Sequence, residues 1–136
     1  MIVTLLDGTT RNWSPIYQST NKVISKLQAE AITLIRQLVP GAMILNEVSI
    51  PVKRNKTLYL DLYVPMWSFA VEIMGKQHKT LTKHFHKNRK AFARQIENDE
   101  LKAEWCRLNK ITLIELDYDN TEEWLLILQE KTGIKL

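Results

Sequence analysis

The sequence predicts an α/β domain: a central mixed β-sheet flanked by helices. Three observations carry this. An amphipathic helical pattern runs from about Ser19 to Val39. Three strand-like runs follow in quick succession, at Ala42 to Ile50, Thr57 to Val64 and Ser68 to Met74. A long helical stretch, a short apolar run and a last helix then close the chain, and strands alternating with helices call for a layered arrangement.

MIVTLLDGTTRNW opens as a short strand and an Asp-Gly turn. In the first helix, Val23, Ile24, Leu27, Ala31, Leu34, Ile35 and Leu38 recur at steps of three and four. Ser19, Thr20 or Asn21 can cap its start, and Pro40-Gly41 ends it. Lys53 to Lys56, with Asn55 central, reads as a hairpin turn between the first two strands. Pro65 breaks the second strand and Gly75 ends the third. Lys83 to Asn109 reads as helix, in one piece or two, with Phe85, Phe92, Ile96, Leu101, Trp105 and Leu108 as apolar positions. Ile111 to Leu116 is short and apolar, as a buried strand requires. Thr121 is then expected to cap a final helix, with Glu122 and Glu123 favourable to its dipole and Gly133 near its end.

The 136 residues suit a single domain, 1–136, and the apolar (45%) and charged (25%) shares are those of a soluble globular protein. No apolar run reaches membrane-spanning length, so no membrane association is expected. Cys106 is the only cysteine, which excludes an internal disulfide and a cysteine-based zinc site. A cytoplasmic setting follows as the expectation. The net charge is +4. Its distribution is uneven: Lys76, Lys79, Lys83, Lys87, Arg89 and Lys90 follow one another with His78, His84 and His86 among them and no acid between. Such a block can steer toward phosphates. A solvated helix face is the better account of it when it is taken alone.

The acids give the block its meaning. Asp61 interrupts LYLDLYVP, and Glu72, eleven residues later, interrupts FAVEIM. A bare carboxylate opposes strand burial. If the two strands are antiparallel neighbours, both acids converge at one level of the sheet. Their repulsion is relieved by a divalent cation, and Mg²⁺ needs only two carboxylates, a carbonyl such as that of Ile73, and retained waters. Alternatively, Asp61 faces solvent on an edge strand and Glu72 pairs with a lysine. Glu30, near the apolar face of the first helix, can reach such a site or face solvent. Glu47, on the first strand of the sheet, can line it or face solvent. Gly75 permits a turn, after which Lys76, Gln77 and His78 offer a cation, an amide and an imidazole. Asp99 and Lys102 share a helix face and can pair with each other, or Asp99 can orient His78.

These residues together resemble the restriction-endonuclease-like PD-(D/E)XK nuclease superfamily, and within it the branch of very-short-patch-repair and phage homing endonucleases. The resemblance runs from about Lys26 to Leu116. It rests on Glu30, on Asp61 in LDLYVP, on Glu72 in VEIMGKQH, and on Asp99 and Lys102 in NDELKAEWC, before ITLIEL. It implies Mg²⁺-dependent hydrolysis of phosphodiester bonds in DNA, with Mn²⁺ able to substitute, in repair, recombination or phage DNA processing. Asp61, Glu72 and Ile73 would hold the metal. Glu30, Asp61, Glu72, Lys76, Gln77, His78 and Asp99 would form the catalytic set, and Lys79, Lys83, Lys87, Arg89 and Lys90 would grip DNA. One departure is plain: Met74 stands where the superfamily places a lysine. His78 is taken as its replacement, with Lys76 as runner-up. A nuclease-like fold that only binds nucleic acid or a partner is the competing expectation. A junction- or mismatch-specific resolvase, working as a homodimer, is a third.

Overall fold

The computed structural model describes residues 1–17, 24–75 and 89–136. Ser19, Thr20, Asn21, Lys76, Gln77, His78, Lys79, Lys83 and Lys87 lie outside the described residues.

Strands β1 (Ile2–Thr4) and β2 (Thr10–Asn12) form an antiparallel hairpin. Helix α1 follows at Lys26–Leu38. Its cap is Ser25, whose hydroxyl accepts from the Gln28 N–H while the Gln28 side chain accepts from the Ser25 N–H. Helix α1 therefore begins later than the apolar pattern predicted, at a Ser-x-x-Gln capping box. Strands β3 (Leu45–Lys53), β4 (Lys56–Val64) and β5 (Phe69–Met74) then run as an antiparallel meander. Arg54 and Asn55 make the expected tight turn between β3 and β4. Pro51 is accommodated because β3 is an edge strand. Helix α2 (Arg89–Leu108) crosses over to β6 (Thr112–Asp117), which joins β5 in parallel. The sheet order β3-β4-β5-β6 is thus mixed, as expected. Thr121 begins a 3₁₀ turn (Thr121–Glu123) instead of capping a helix, and α3 spans Trp124–Thr132.

Alternation along the strands splits the core in two. Phe69 and Val71 of β5 pack with Ile32 and Ile35 of α1 and with Trp124 and Leu128 of α3. Ala70, between them, packs with Trp105 and Cys106 of α2 and with Val3, Leu5 and Trp13 of the N-terminal hairpin. Trp13 packs with its ring centroid 5.2 Å from those of both Tyr63, tilted, and Trp105, edge-to-face, and its indole donates to the Ser49 carbonyl. Of the residues expected to bury α2, Trp105 does so, whereas Ile96 and Leu108 are exposed.

One irregularity positions the site. The core residues of β3 are Leu45, Val48, Ile50 and Val52, and those of β4 in the same cluster are Leu58, Leu60 and Tyr63. Each series contains one step of three among steps of two. On β3 the extra step spans Glu47, whose φ is +51°. On β4 it spans Asp61. These two residues lie across from each other, between the pairs Asn46–Leu62 and Val48–Leu60. Both strands change phase at one level, and a phase change turns a side chain to the other face.

The N-terminal hairpin is tied to the β3–β4 turn through Asp7, which accepts from Thr9 and from the Arg54 N–H. The Thr9 hydroxyl and then these main-chain donors lower the Asp7 pKa from 3.8 to about 2. A depressed carboxylate stabilises the fold above its unfolded value and loses that contribution as pH falls through its folded value. Asp7→Asn is therefore expected to flatten the acid limb of the stability curve between those two pH values, measured by urea denaturation.

Candidate active site

The β4–β5 ladder closes at Val64–Phe69, Tyr63–Ala70 and Leu62–Val71. One step further, Asp61 and Glu72 face each other and their carboxylates take over the pairing. The Asp61 N–H donates to Oε2 of Glu72 at 2.8 Å, and the Ile73 N–H donates to Oδ2 of Asp61 at 2.8 Å. Each acid thus holds the backbone at the other's strand. The convergence expected from two acids in neighbouring strands is present, and it is fixed by reciprocal bonds.

Glu72 is 6% exposed and Asp61 is half-buried. Lys102 of α2 donates from Nζ to Oε1 of Glu72 at 2.6 Å. Burial pushes Glu72 above the usual carboxylate range, the Asp61 charge adds to this, and Lys102 pulls it back. Burial draws Lys102 down, but Glu72, Asp61 and Asp99 together outweigh it and hold the ammonium charged. Cys106, one helical turn further on, is pushed up to about 12, first by burial and then by Glu72, so its thiol is no nucleophile.

Asp61, Glu72 and Ile73 open onto a cleft of about 450 Å³. Its other walls are the start of α1, through Ser25, Leu27 and Gln28, together with Met74, Gly75, Lys102 and Tyr118. The cleft lies beyond the carboxyl ends of the parallel strands β5 and β6, where open α/β sheets commonly bind ligands.

Other expected residues fall elsewhere. Glu30 is exposed and lines a separate groove with Thr33, Leu34, Thr121, Glu122 and Trp124. Gln28, half a turn earlier, is buried and lines the cleft in its stead. Its Nε2 donates to Oε1 of Glu47 at 2.9 Å, so Glu47 is tied to the α1 start. Asp99 lines a narrow gap on the far side of the Glu72–Lys102 pair, where it faces Lys102. The expected Asp99–His78 contact lies outside the described residues. Arg89 and Lys90 are exposed at the first residues of α2.

Sequence reasoning missed Gln28, and it allowed Glu72 a lysine partner without naming Lys102. Signals for both were present. Ser25 stands three residues before Gln28, the spacing of a capping box. Lys102 precedes Cys106 by four residues and so shares a face with a buried position.

Among the described residues, no group of three or more His, Cys, Asp and Glu side chains is arranged to hold a metal ion. The two facing carboxylates supply hard oxygens only. Hard oxygens suit Mg²⁺ or Mn²⁺, which retain waters, better than zinc or a softer metal, although the Lys102 ammonium already engages Oε1 of Glu72. Also among the described residues, no helix is long and apolar enough to cross a membrane.

No family model matches the chain, and no solved structure matches it. Two viral proteins are similar to part of it. "Uncharacterized protein 307L" of Invertebrate iridescent virus 6 is 42% identical over 73 residues, which is 54% of this chain and 37% of that protein. "Uncharacterized protein 033L" of Invertebrate iridescent virus 3 is 38% identical over 68 residues, 50% of this chain and 34% of that protein. The matches span about a third of the length of these relatives.

Removing one partner of a buried ion pair strands the other. Lys102→Met is therefore expected to cost about 3 kcal/mol of unfolding free energy by urea denaturation without divalent ions. Adding Glu72→Gln to that variant should recover most of the loss.

Proposed function

We propose that the cleft is the active site of a metal-dependent phosphodiesterase acting on DNA, of the restriction-endonuclease-like kind. One observation carries this reading. Two carboxylates from adjacent strands, each fixed by the other strand's N–H, face a cleft whose wall holds a charged lysine. A purely structural acid pair has no need of an open cleft or of a level where two strands change phase.

In this reading Asp61, Glu72 and the Ile73 carbonyl hold Mg²⁺, with Mn²⁺ able to substitute. The ion, when bound, neutralises phosphate charge and makes a coordinated water a better nucleophile. The chain supplies the rest. The reciprocal hydrogen bonds keep both carboxylates in place before any ion arrives, which lowers the cost of ordering them. Gly75 lies at the cleft, and Lys76, Gln77 and His78 follow it in sequence. His78 moves a proton at the attacking water or the departing oxygen, with Lys76 and Gln77 as further contacts and Asp99 as support. Glu30 is exposed on another groove and has no direct part. Arg89 and Lys90, continuing the basic segment of Lys79, Lys83 and Lys87, contact neighbouring phosphates and set register without reading sequence. A single copy would nick, and a homodimer would be needed to cut both strands. Within this reading, the likeness to proteins of invertebrate viruses favours such a virus over a phage as the setting.

The competing reading is a nucleic-acid-binding or interaction module without catalysis. The Lys102–Glu72 contact favours it, because an ammonium already neutralises the acid a metal would need.

Asp61→Asn and Glu72→Gln are each expected to lower Mg²⁺-dependent DNA cleavage by about 100-fold or more while leaving DNA binding largely intact. Cleavage of supercoiled and branched DNA, with binding followed by gel shift in EDTA, checks this. Full activity in either variant would contradict the assignment.

A further inference from the structure

On the hairpin side of the acid pair, β3 and β4 run on as a two-stranded ribbon that ends in the turn at Arg54 and Asn55. The tip of this ribbon is basic. Lys53 and Lys56 stand directly opposite each other, and Arg54 lies between them in the turn. Arg11 of β2 joins them, donating from Nη2 to the Arg54 carbonyl at 3.3 Å. Like charges placed opposite each other across a ladder are destabilising. Asp7 is also at this tip, but its carboxylate is engaged by the N–H groups of Thr9 and Arg54. An anionic partner would complement the remaining charge.

Between the tip and the cleft, β4 carries Thr57, Tyr59 and then Asp61. Thr57 and Tyr59 alternate with Leu58 and Leu60, which join the core, so both turn away from it. Tyr59 stands across from Ser49 and is 50% exposed. It precedes Asp61 by two residues, about 7 Å along the strand. A lone exposed tyrosine needs no explanation. This one stands between a group of cations and two facing carboxylates, on the strand that holds one of them. Cations that follow a phosphate backbone, with an aromatic face beside them, make a surface for single strands. Unpaired bases can lie on such a ring, whereas the bases of a duplex are stacked on one another.

We infer that the β3–β4 ribbon binds an unpaired, single-stranded segment of DNA, its tip holding phosphates and the Tyr59 ring stacking on a base, and leads that segment toward the Asp61–Glu72 cleft. This rests on the phosphodiesterase reading above for the choice of DNA, and not for any step of catalysis. It makes the preferred substrate a DNA with an unpaired stretch, such as a flap, a gap or a branch.

The test measures binding of a fluorescein-labelled single strand, and of a duplex of the same length, by fluorescence anisotropy in EDTA. The proteins are the wild-type chain, Tyr59→Ala, Tyr59→Phe and the double variant Lys53→Gln with Lys56→Gln, each checked by thermal melting. Tyr59→Ala is expected to weaken single-strand binding by about 10-fold and duplex binding by no more than about twofold. Tyr59→Phe, which keeps the ring, should bind the single strand within about twofold of wild type. The double lysine variant should lower the slope of log affinity against log salt by about 1.4, and it gives an answer if Tyr59→Ala fails to fold. Single-strand binding by a folded Tyr59→Ala within about twofold of wild type overturns the inference, as does an equal loss in Tyr59→Phe. An unchanged salt slope in the double lysine variant overturns it too. The phosphodiesterase reading survives each of these results, because cleavage in Mg²⁺ is measured separately. Binding that depends on the Tyr59 ring, in a chain that cuts no DNA in Mg²⁺ or Mn²⁺, supports the inference and overturns that reading.

Discussion

The two hydrogen bonds that cross between β4 and β5 at the acids, from the Asp61 N–H to Glu72 and from the Ile73 N–H to Asp61, are the interaction on which the rest of the structure turns. Past Leu62 and Val71 the β4–β5 ladder gives way, and two backbone N–H groups need acceptors. The carboxylates provide them, each at 2.8 Å. The two strands therefore stay in register beyond the point where their main chains pair, and the cleft keeps a firm floor. The cost is two like charges side by side, one of them buried. Lys102 offsets that cost, which ties α2 to the sheet at the same level and makes the position of the helix part of the site.

The remaining walls follow from this arrangement. Glu47, on β3, lies opposite Asp61 of β4 in a left-handed conformation that non-glycine residues seldom adopt. The amide of Gln28 holds it there and at the same time completes the α1 cap. The start of α1 is thereby linked to Glu47 of β3 by a side-chain hydrogen bond rather than by packing alone. Strain and polar contacts gathered at one level of a sheet are common at functional sites, where the surrounding core holds them in place. Here that core is two apolar layers, one on each face of the sheet.

Much of this was legible in the sequence. The mixed sheet, its flanking helices and the β3–β4 turn followed from periodicity and turn chemistry. The meeting of Asp61 and Glu72 followed from two acids placed on either side of Pro65 in otherwise apolar strands. The rest depended on geometry that periodicity does not carry. The apolar residues before Ser25 extended the helical pattern too far, and Glu30 reads as close to the apolar face from its place between Leu27 and Leu34, whereas the cap at Ser25 puts Gln28 on the cleft. The phase change at Glu47 has no local signature, because a glutamate rarely takes a positive φ. Asp99 and Lys102 looked like a pair within one helix. Tertiary packing turned Lys102 to the sheet, since the buried Glu72 needed a cation more than an exposed turn did. Thr121 had the chemistry of a helix cap, but the chain enters α3 through a 3₁₀ turn.

The central claim is that the Asp61–Glu72 pair holds a divalent cation. Isothermal titration calorimetry of Mn²⁺ into the wild-type chain and into Asp61→Asn, without nucleic acid, tests it most directly. The account predicts saturable binding of at least one ion by the wild type, and its loss in the variant with the fold intact by circular dichroism. Equal binding by both proteins, or none by the wild type, would contradict it and leave the two acids as a structural clasp between β4 and β5.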